Sequence, residues 1–191
     1  IKFFFNFRSP YCYIVSKLLG DIFDEYNVNL VWRPLGGWAG RSPPERAKVK
    51  IPLVRQDMAR ITRKMGIPMN PPPPTTEPTK AAAGSLLAEE KGVLREYIVA
   101  TMEREWAEGQ DIGDESVILS VGESVGLDRA ELAAALEAPD CLAELEKNRI
   151  EADSLGVIGV PAFVVGDEIF WGADRVGYLQ DHLRELRLSI Y

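Results

Sequence analysis

Ser9 and Cys12, three residues apart in the run Asn6-Phe7-Arg8-Ser9-Pro10-Tyr11-Cys12, are the residue types in this chain whose chemistry depends most on where the backbone puts them. Ser-Pro reads as a helix N-cap followed by the first helical residue, where a missing N–H costs nothing. Unpaired N–H groups and the positive end of the dipole make a helix N-terminus a place that stabilises a thiolate. Serine does not ionise near neutral pH and forms no disulfide, so dithiol exchange between positions 9 and 12 is excluded. What remains open to Ser9 is to stabilise a thiolate carried by another molecule. A hydrogen bond to a charged group is worth roughly 1.5–3 kcal/mol and the helix end about 0.3–1 kcal/mol. At about 1.36 kcal/mol per unit, the two would lower a bound thiol's pKa by roughly one to two units, toward neutral. The same tetrapeptide serves equally well as a plain cap, its oxygen accepting from the backbone near Cys12. Cys12, one turn on and on the same face, reads either as a buried small hydrophobe or as a thiol able to form a mixed disulfide.

The elements that must position these residues follow from pattern. Ile1 to Phe7 is a short aromatic run expected to be a buried strand and not a secretory signal. A helix from Pro10 to about Tyr26 and a strand from Val28 to Pro34 complete a parallel, right-handed strand-helix-strand unit. Nine of the chain's 13 prolines fall between Pro43 and Pro78, and the segment from Gly36 to Lys80 is expected to be mostly loop around one helix, roughly Leu53 to Met65. The run Pro71 to Pro74 must be extended. Thr79 to Ala152 is helical almost throughout, with breaks near Gly92, Gly109 to Gly113, Gly126 and Pro139, and with Asp114 and Asp128 as N-caps. Pro161 to Val165 and Glu168 to Trp171 flank Gly166-Asp167 as a hairpin, and a helix runs from about Asp174 to Leu188. This order predicts an α/β, thioredoxin-like fold. Its strand-helix-strand and strand-strand-helix halves, residues 1–50 and 153–191, are separated by a helical insertion, residues 51–152. Within it, Gly156 to Val165 places Pro161 at the first residue of a strand with Val160 extended. That is the position of the cis-proline loop, which faces the N-terminus of the first helix and pairs with a thiol peptide as an added strand would.

A net charge of −7 argues against nucleic acid as a general partner. The apolar runs are too short to span a membrane. Two cysteines are too few to staple a secreted domain, so the expected compartment is the cytoplasm. One histidine, His182, leaves a Ser-His-Asp triad or a His-rich metal site little to draw on, and no metal is expected. Taken alone, Lys50 reads as a solvated lysine and Asp174 as a helix cap.

Matches along the whole chain give these residues a context: Phe5-x-Phe7-Arg8-Ser9-Pro10-Tyr11, the proline-rich stretch before Lys50, Met65-Gly66-Ile67-Pro68, Trp106 to Ile112, Gly156 to Pro161, and Phe170-Trp171-Gly172-x-Asp174-Arg175. Together they resemble the 2-hydroxychromene-2-carboxylate isomerase family, kin of kappa-class glutathione transferases and DsbA proteins. The resemblance implies glutathione as cofactor, with Ser9 hydrogen-bonding its sulfur. It further implies that the Val160 main chain, ahead of a cis Pro161, pairs with the glutathione cysteine and that Asp174 holds the γ-glutamyl ammonium. Lys50 and Arg41 complete the glutathione site, although Arg41 stands where the family often has Asn, and Ala173 where the kappa class has Ser. Arg8 and Trp38 are expected on the substrate side, with Tyr11 touching or packing beside an aromatic substrate. The implied activity is a glutathione-dependent isomerisation of a hydroxychromene-carboxylate-type aromatic compound by a homodimer. The competing readings are a kappa-like glutathione transferase and a DsbA-like redox protein or thiol-peptide binder using Cys12.

Overall fold

The computed structural model describes residues 1–37 and 44–190. β1 (Lys2–Phe5) forms the inside of a four-stranded sheet because its three phenylalanines are buried on both faces. It pairs in parallel with β2 (Val31–Pro34), Phe3 opposite Trp32, and antiparallel with β3 (Ala162–Val165), Phe3 opposite Phe163. β3 turns at Gly166, whose φ of 58° suits a residue without a Cβ, into the edge strand β4 (Glu168–Trp171). The strand order is β2-β1-β3-β4.

The period-2 alternation of strands divides the core. Phe3, Phe5 and Phe163 point to one face, where the Phe3 and Phe163 rings stack with centroids 4.6 Å apart and meet the helices. Phe4, Ala162 and Val164 point to the other, against Ala152.

On the first face lie α1 (Pro10–Ser16), α2 (Leu19–Phe23), α3 (Pro44–Met65), α4 (Thr79–Glu90) and α5 (Leu94–Met102), the last continuing as a π-helical turn over Glu103–Ala107. α4 reaches the middle of the helical block because its buried face is Ala81, Ala82, Ala83, Gly84, Ser85 and Ala88. A Cβ at Gly84 would lie 2.4 Å from the Tyr97 hydroxyl, so this helix tolerates no larger residue there. α6 (Glu115–Ser124) and α7 (Arg129–Leu136) start on Asp114 and Asp128, whose carboxylates accept from Ser116 N–H and from Ala130 and Glu131 N–H, as the sequence predicts. α8 (Pro139–Leu155) ends on left-handed Gly156 and leads into β3. A 3₁₀ turn, Ala173–Arg175, precedes α9 (Val176–Glu185). Among the described residues, no helix is long and apolar enough to cross a membrane.

Three expected helices differ, and β2 begins at Val31 and not at Val28. The single helix over Pro10 to Tyr26 is two, because Lys17 and Leu18 N–H close i→i−3 bonds to Ile14 and Val15 and end α1 early. α3 begins at Pro44 and not at Leu53, so Pro52 lies inside it and the stretch read as loop, Lys50 included, is helical. The final helix starts at Val176 because Asp174 belongs to the 3₁₀ turn. α3 and α8 also run across positions 50–51 and 152–153.

Candidate functional site

The β1–α1 loop fixes Ser9 from several directions. Arg8 N–H donates to Asn6 Oδ1 at 2.8 Å and Ser9 N–H to the Asn6 carbonyl at 3.0 Å. Asn6 is itself 4 % exposed. From behind, Trp106 Nε1–H donates to the Phe7 carbonyl at 2.9 Å, so the loop hangs on the π-helical turn. Ser9 is extended and caps α1, its Oγ accepting from Cys12 N–H at 3.3 Å.

That oxygen has a second partner. Its hydroxyl donates to the Val160 carbonyl, also at 3.3 Å, across 151 residues of sequence. Both distances are long for hydrogen bonds at a hydroxyl, so the hydroxyl is weakly held and free to turn toward a better acceptor. The Val160–Pro161 peptide bond is cis. Among the described residues the Val160 N–H has no hydrogen-bond partner. The Pro161 carbonyl accepts from Gly172 N–H at 2.9 Å, which ties the Ala173–Arg175 turn to the same loop. Gly172 has a φ of 110°, a conformation L side chains rarely adopt, and Asp174 Oδ1 lies 2.6 Å from where its Cβ would be. Asp174 remains 72 % exposed at its side chain, with Arg175 Nη1 3.3 Å from its carboxylate.

Ser9, Val160, Pro161 and the Asp174 turn are therefore brought together. Lys50 is exposed on α3, seven residues before Asp57. Two helical turns separate them, so they lie on the same side of the helix. Asp57 is the link from that side to the site, accepting from the Tyr11 hydroxyl at 2.9 Å. Burial, with the Asp57 and Asp174 carboxylates, pushes the Tyr11 phenol up to about 12. Arg41 and Trp38 lie outside the described residues.

Cys12 is 1 % exposed. Burial pushes its thiol up to about 12, although the Asn6 backbone N–H and the Ser9 side chain pull the other way. A thiol in that state is protonated near neutral pH and shielded from solvent, which favours the packing role over a mixed disulfide.

Comparison with known proteins agrees with this architecture. The sequence pattern of the DSBA-like thioredoxin domain matches residues 1–184. The chain belongs to the DsbA-like thioredoxin family. Within that family it is similar to 2-hydroxychromene-2-carboxylate isomerase of Sphingobium xenophagum, 30% identical over 96% of this chain and 97% of that one. The solved structure of a 2-hydroxychromene-2-carboxylate isomerase superposes with a TM-score of 0.85 at 25% identity, covering 97% of this chain and 95% of the other. The cytosolic disulfide reductase DsbM of Pseudomonas aeruginosa shares the fold, with a TM-score of 0.70, 20% identity and coverage of 96% and 98%. The resemblance to the hydroxychromene-carboxylate isomerase family drawn from sequence is thereby established, and the fold is thioredoxin-like.

Two residues beside this region, Asp57 and Glu105, were not singled out from the sequence. Asp57 gave no signal, since a helix of mixed charge reads as solvated. Glu105 did give one. It follows Ile98 by seven residues and Thr101 by four, on the stripe that buries Leu94, Ile98 and Thr101, and it is fully buried.

Proposed function

We propose that this protein is a glutathione-dependent isomerase of a hydroxychromene-carboxylate-type aromatic compound. The supporting observation is the Ser9 hydroxyl, held at the N-terminus of α1 and facing the cis Val160–Pro161 loop at 3.3 Å.

The residues present fit a cysteinyl peptide. Val160 offers an unpaired N–H and a carbonyl that only the Ser9 hydroxyl engages among the described residues, which is the donor and acceptor pair an added strand requires. An incoming amide N–H that takes the Val160 carbonyl releases the Ser9 hydroxyl. The hydroxyl then turns to donate to sulfur, while the α1 N-terminus favours the charged form. Asp174, close to this loop and largely exposed, supplies a carboxylate for an ammonium group, and Lys50 a cation for a carboxylate. When bound, glutathione supplies a nucleophilic sulfur and is regenerated. Tyr11, kept protonated by burial and Asp57, lies beside Ser9 in the chain, where its ring can touch or pack against an aromatic substrate. The partner expected for such a protein is a second copy of itself.

A kappa-like glutathione transferase would use the same wall, and the two differ in whether glutathione is consumed. The redox reading loses ground because Cys12 is buried and protonated.

Titration calorimetry with glutathione at several pH values tests the proposal. The wild type is expected to release a proton on binding near neutral pH, and Ser9→Ala to weaken thiolate binding about ten- to hundredfold. Binding without proton release, or release unchanged in Ser9→Ala, would refute the thiolate role of Ser9.

A further inference from the structure

Glu105 is the one carboxylate buried to 0 % among the described residues, and nothing in the proposed chemistry calls for it. It sits in the π-helical turn that carries Trp106, directly behind the loop that presents Ser9. Neither carboxylate oxygen reaches a hydrogen-bond partner. Its countercharge is Arg8, Nη1 at 3.6 Å, the residue immediately before Ser9.

Arg8 is held independently of this carboxylate. Its backbone N–H is fixed by Asn6, its guanidinium lies 5.5 Å from the centroid of the Trp106 ring, and Nη2 donates to the Pro73 and Pro74 carbonyls at 3.3 and 3.4 Å. A change of charge at Glu105 therefore need not displace Arg8. It changes how much of the guanidinium's positive field is left uncancelled at the start of α1.

We propose that Glu105 is a positioning residue of the Ser9 site: from behind the β1–α1 loop it offsets the Arg8 charge and so sets how strongly the helix N-terminus favours a bound thiolate. The inference rests on the glutathione reading above. With the carboxylate ionised, the pair is close to neutral and adds little at Ser9. With a proton on the carboxyl, the Arg8 charge adds to the helix dipole, and in a low-dielectric interior that difference is felt across a turn of helix. The groups facing Glu105 are Arg8 from the β1–α1 loop, Cys12 from α1, and Asp111 and Trp106 from its own segment. Burial pushes the carboxyl well above its ordinary range, and Arg8 pulls it back only in part. The influence already reaches α1, where the negative charge helps raise the Cys12 thiol one turn from Ser9.

The test follows the ultraviolet absorbance of the thiolate of protein-bound glutathione against pH, in wild type, Glu105→Gln, Glu105→Met and Glu105→Asp. At pH values where Glu105 is ionised, removing its negative charge is expected to move the midpoint of the bound thiol down by about half a unit to one unit in the Gln and Met variants. The Asp variant, which keeps the charge, should stay near wild type. A merely structural role would weaken binding without this dependence on charge. A wild-type midpoint near neutral that is unchanged or raised in Glu105→Gln overturns the inference and leaves the glutathione reading standing. A wild type with no bound thiolate near neutral pH overturns both. If neither charge-free variant folds, the carboxylate serves folding and the inference is likewise overturned.

Discussion

Ser9, Val160 and Pro161 stand on backbone pinned from behind, whereas Lys50 and its neighbours on α3 stand on a helix that mostly faces water. Behind the first group lie Asn6, Trp106 and Gly172, each hydrogen-bonded to the loop it supports. On α3, Val49 and Leu53 are 71% and 62% exposed, as apolar residues of a buried helix would not be. The charges differ in the same way. Arg46, Lys48, Lys50, Arg55, Arg63 and Lys64 have no carboxylate partner, and outside α3 only Arg187 shares that state among the described residues. In a chain of net charge −7, most cations are used up internally, and those of α3 other than Arg60, which pairs with Asp57, are not. The Ser9 loop is preorganised by burial, whereas α3 presents unpaired positive charge to solvent.

The largest effect expected from this difference is at Trp106. Trp106→Phe keeps an aromatic but smaller ring and removes the N–H that satisfies the Phe7 carbonyl. An unsatisfied buried carbonyl costs about 1–3 kcal/mol, which urea denaturation would read as a lower midpoint at unchanged slope. The same variant should weaken glutathione binding, because the loop carrying Ser9 loses its anchor. If stability is unchanged, the pinned side is not pinned by Trp106 and the comparison fails there.

The same contrast explains what could be read from sequence. The strands, the hairpin at Gly166-Asp167 and the caps at Asp114 and Asp128 are local patterns, and each was legible because the residues that make it are adjacent. Ser9 and Pro161 could be named from their own segments. Their approach is a long-range event, set by β1 pairing with β3, that no local signal reports. α3 misled for a different reason. Its prolines suggested loop, yet Pro44 opens the helix, where a missing N–H is harmless, and Pro52 is tolerated inside it. Glu105 was legible in phase and hidden by residue type, since a glutamate on an apolar stripe is ordinarily read as surface.

A smaller effect, confined to alkaline pH, is expected at Cys12. Its folded thiol sits at about 12 against an ordinary value of 9.0, so the folded state keeps a proton that the unfolded chain has lost. Stability must then fall as pH rises from about 9 toward 12. Cys12→Ala should flatten that fall relative to wild type, lose about 1 kcal/mol at neutral pH and leave activity intact. Native Cys12 should resist thiol reagents at mildly alkaline pH, while the half-buried Cys141 reacts. Loss of activity in Cys12→Ala would return the redox reading to the front and make the pinned side a reactive one.

The smallest effect separates the two faces of α3. Lys50 shares a side with Asp57, which reaches the site through Tyr11, whereas Arg55 and Arg63 line a groove with Ile67, Met69 and Pro71 on another side. An exposed cation is worth about 0.2–1 kcal/mol to an anion it meets, or up to about fivefold in affinity. Lys50→Gln should therefore weaken glutathione binding by up to about fivefold at low salt, and the deficit should shrink as salt screens it. Arg55→Gln with Arg63→Gln should change binding by less than about twofold, since those charges lie on a different side of α3 from Asp57. Equal losses in both variants would mean that α3 acts through its total charge and not through the placement of Lys50. That result would replace a binding role for Lys50 with a steering role for the whole helix.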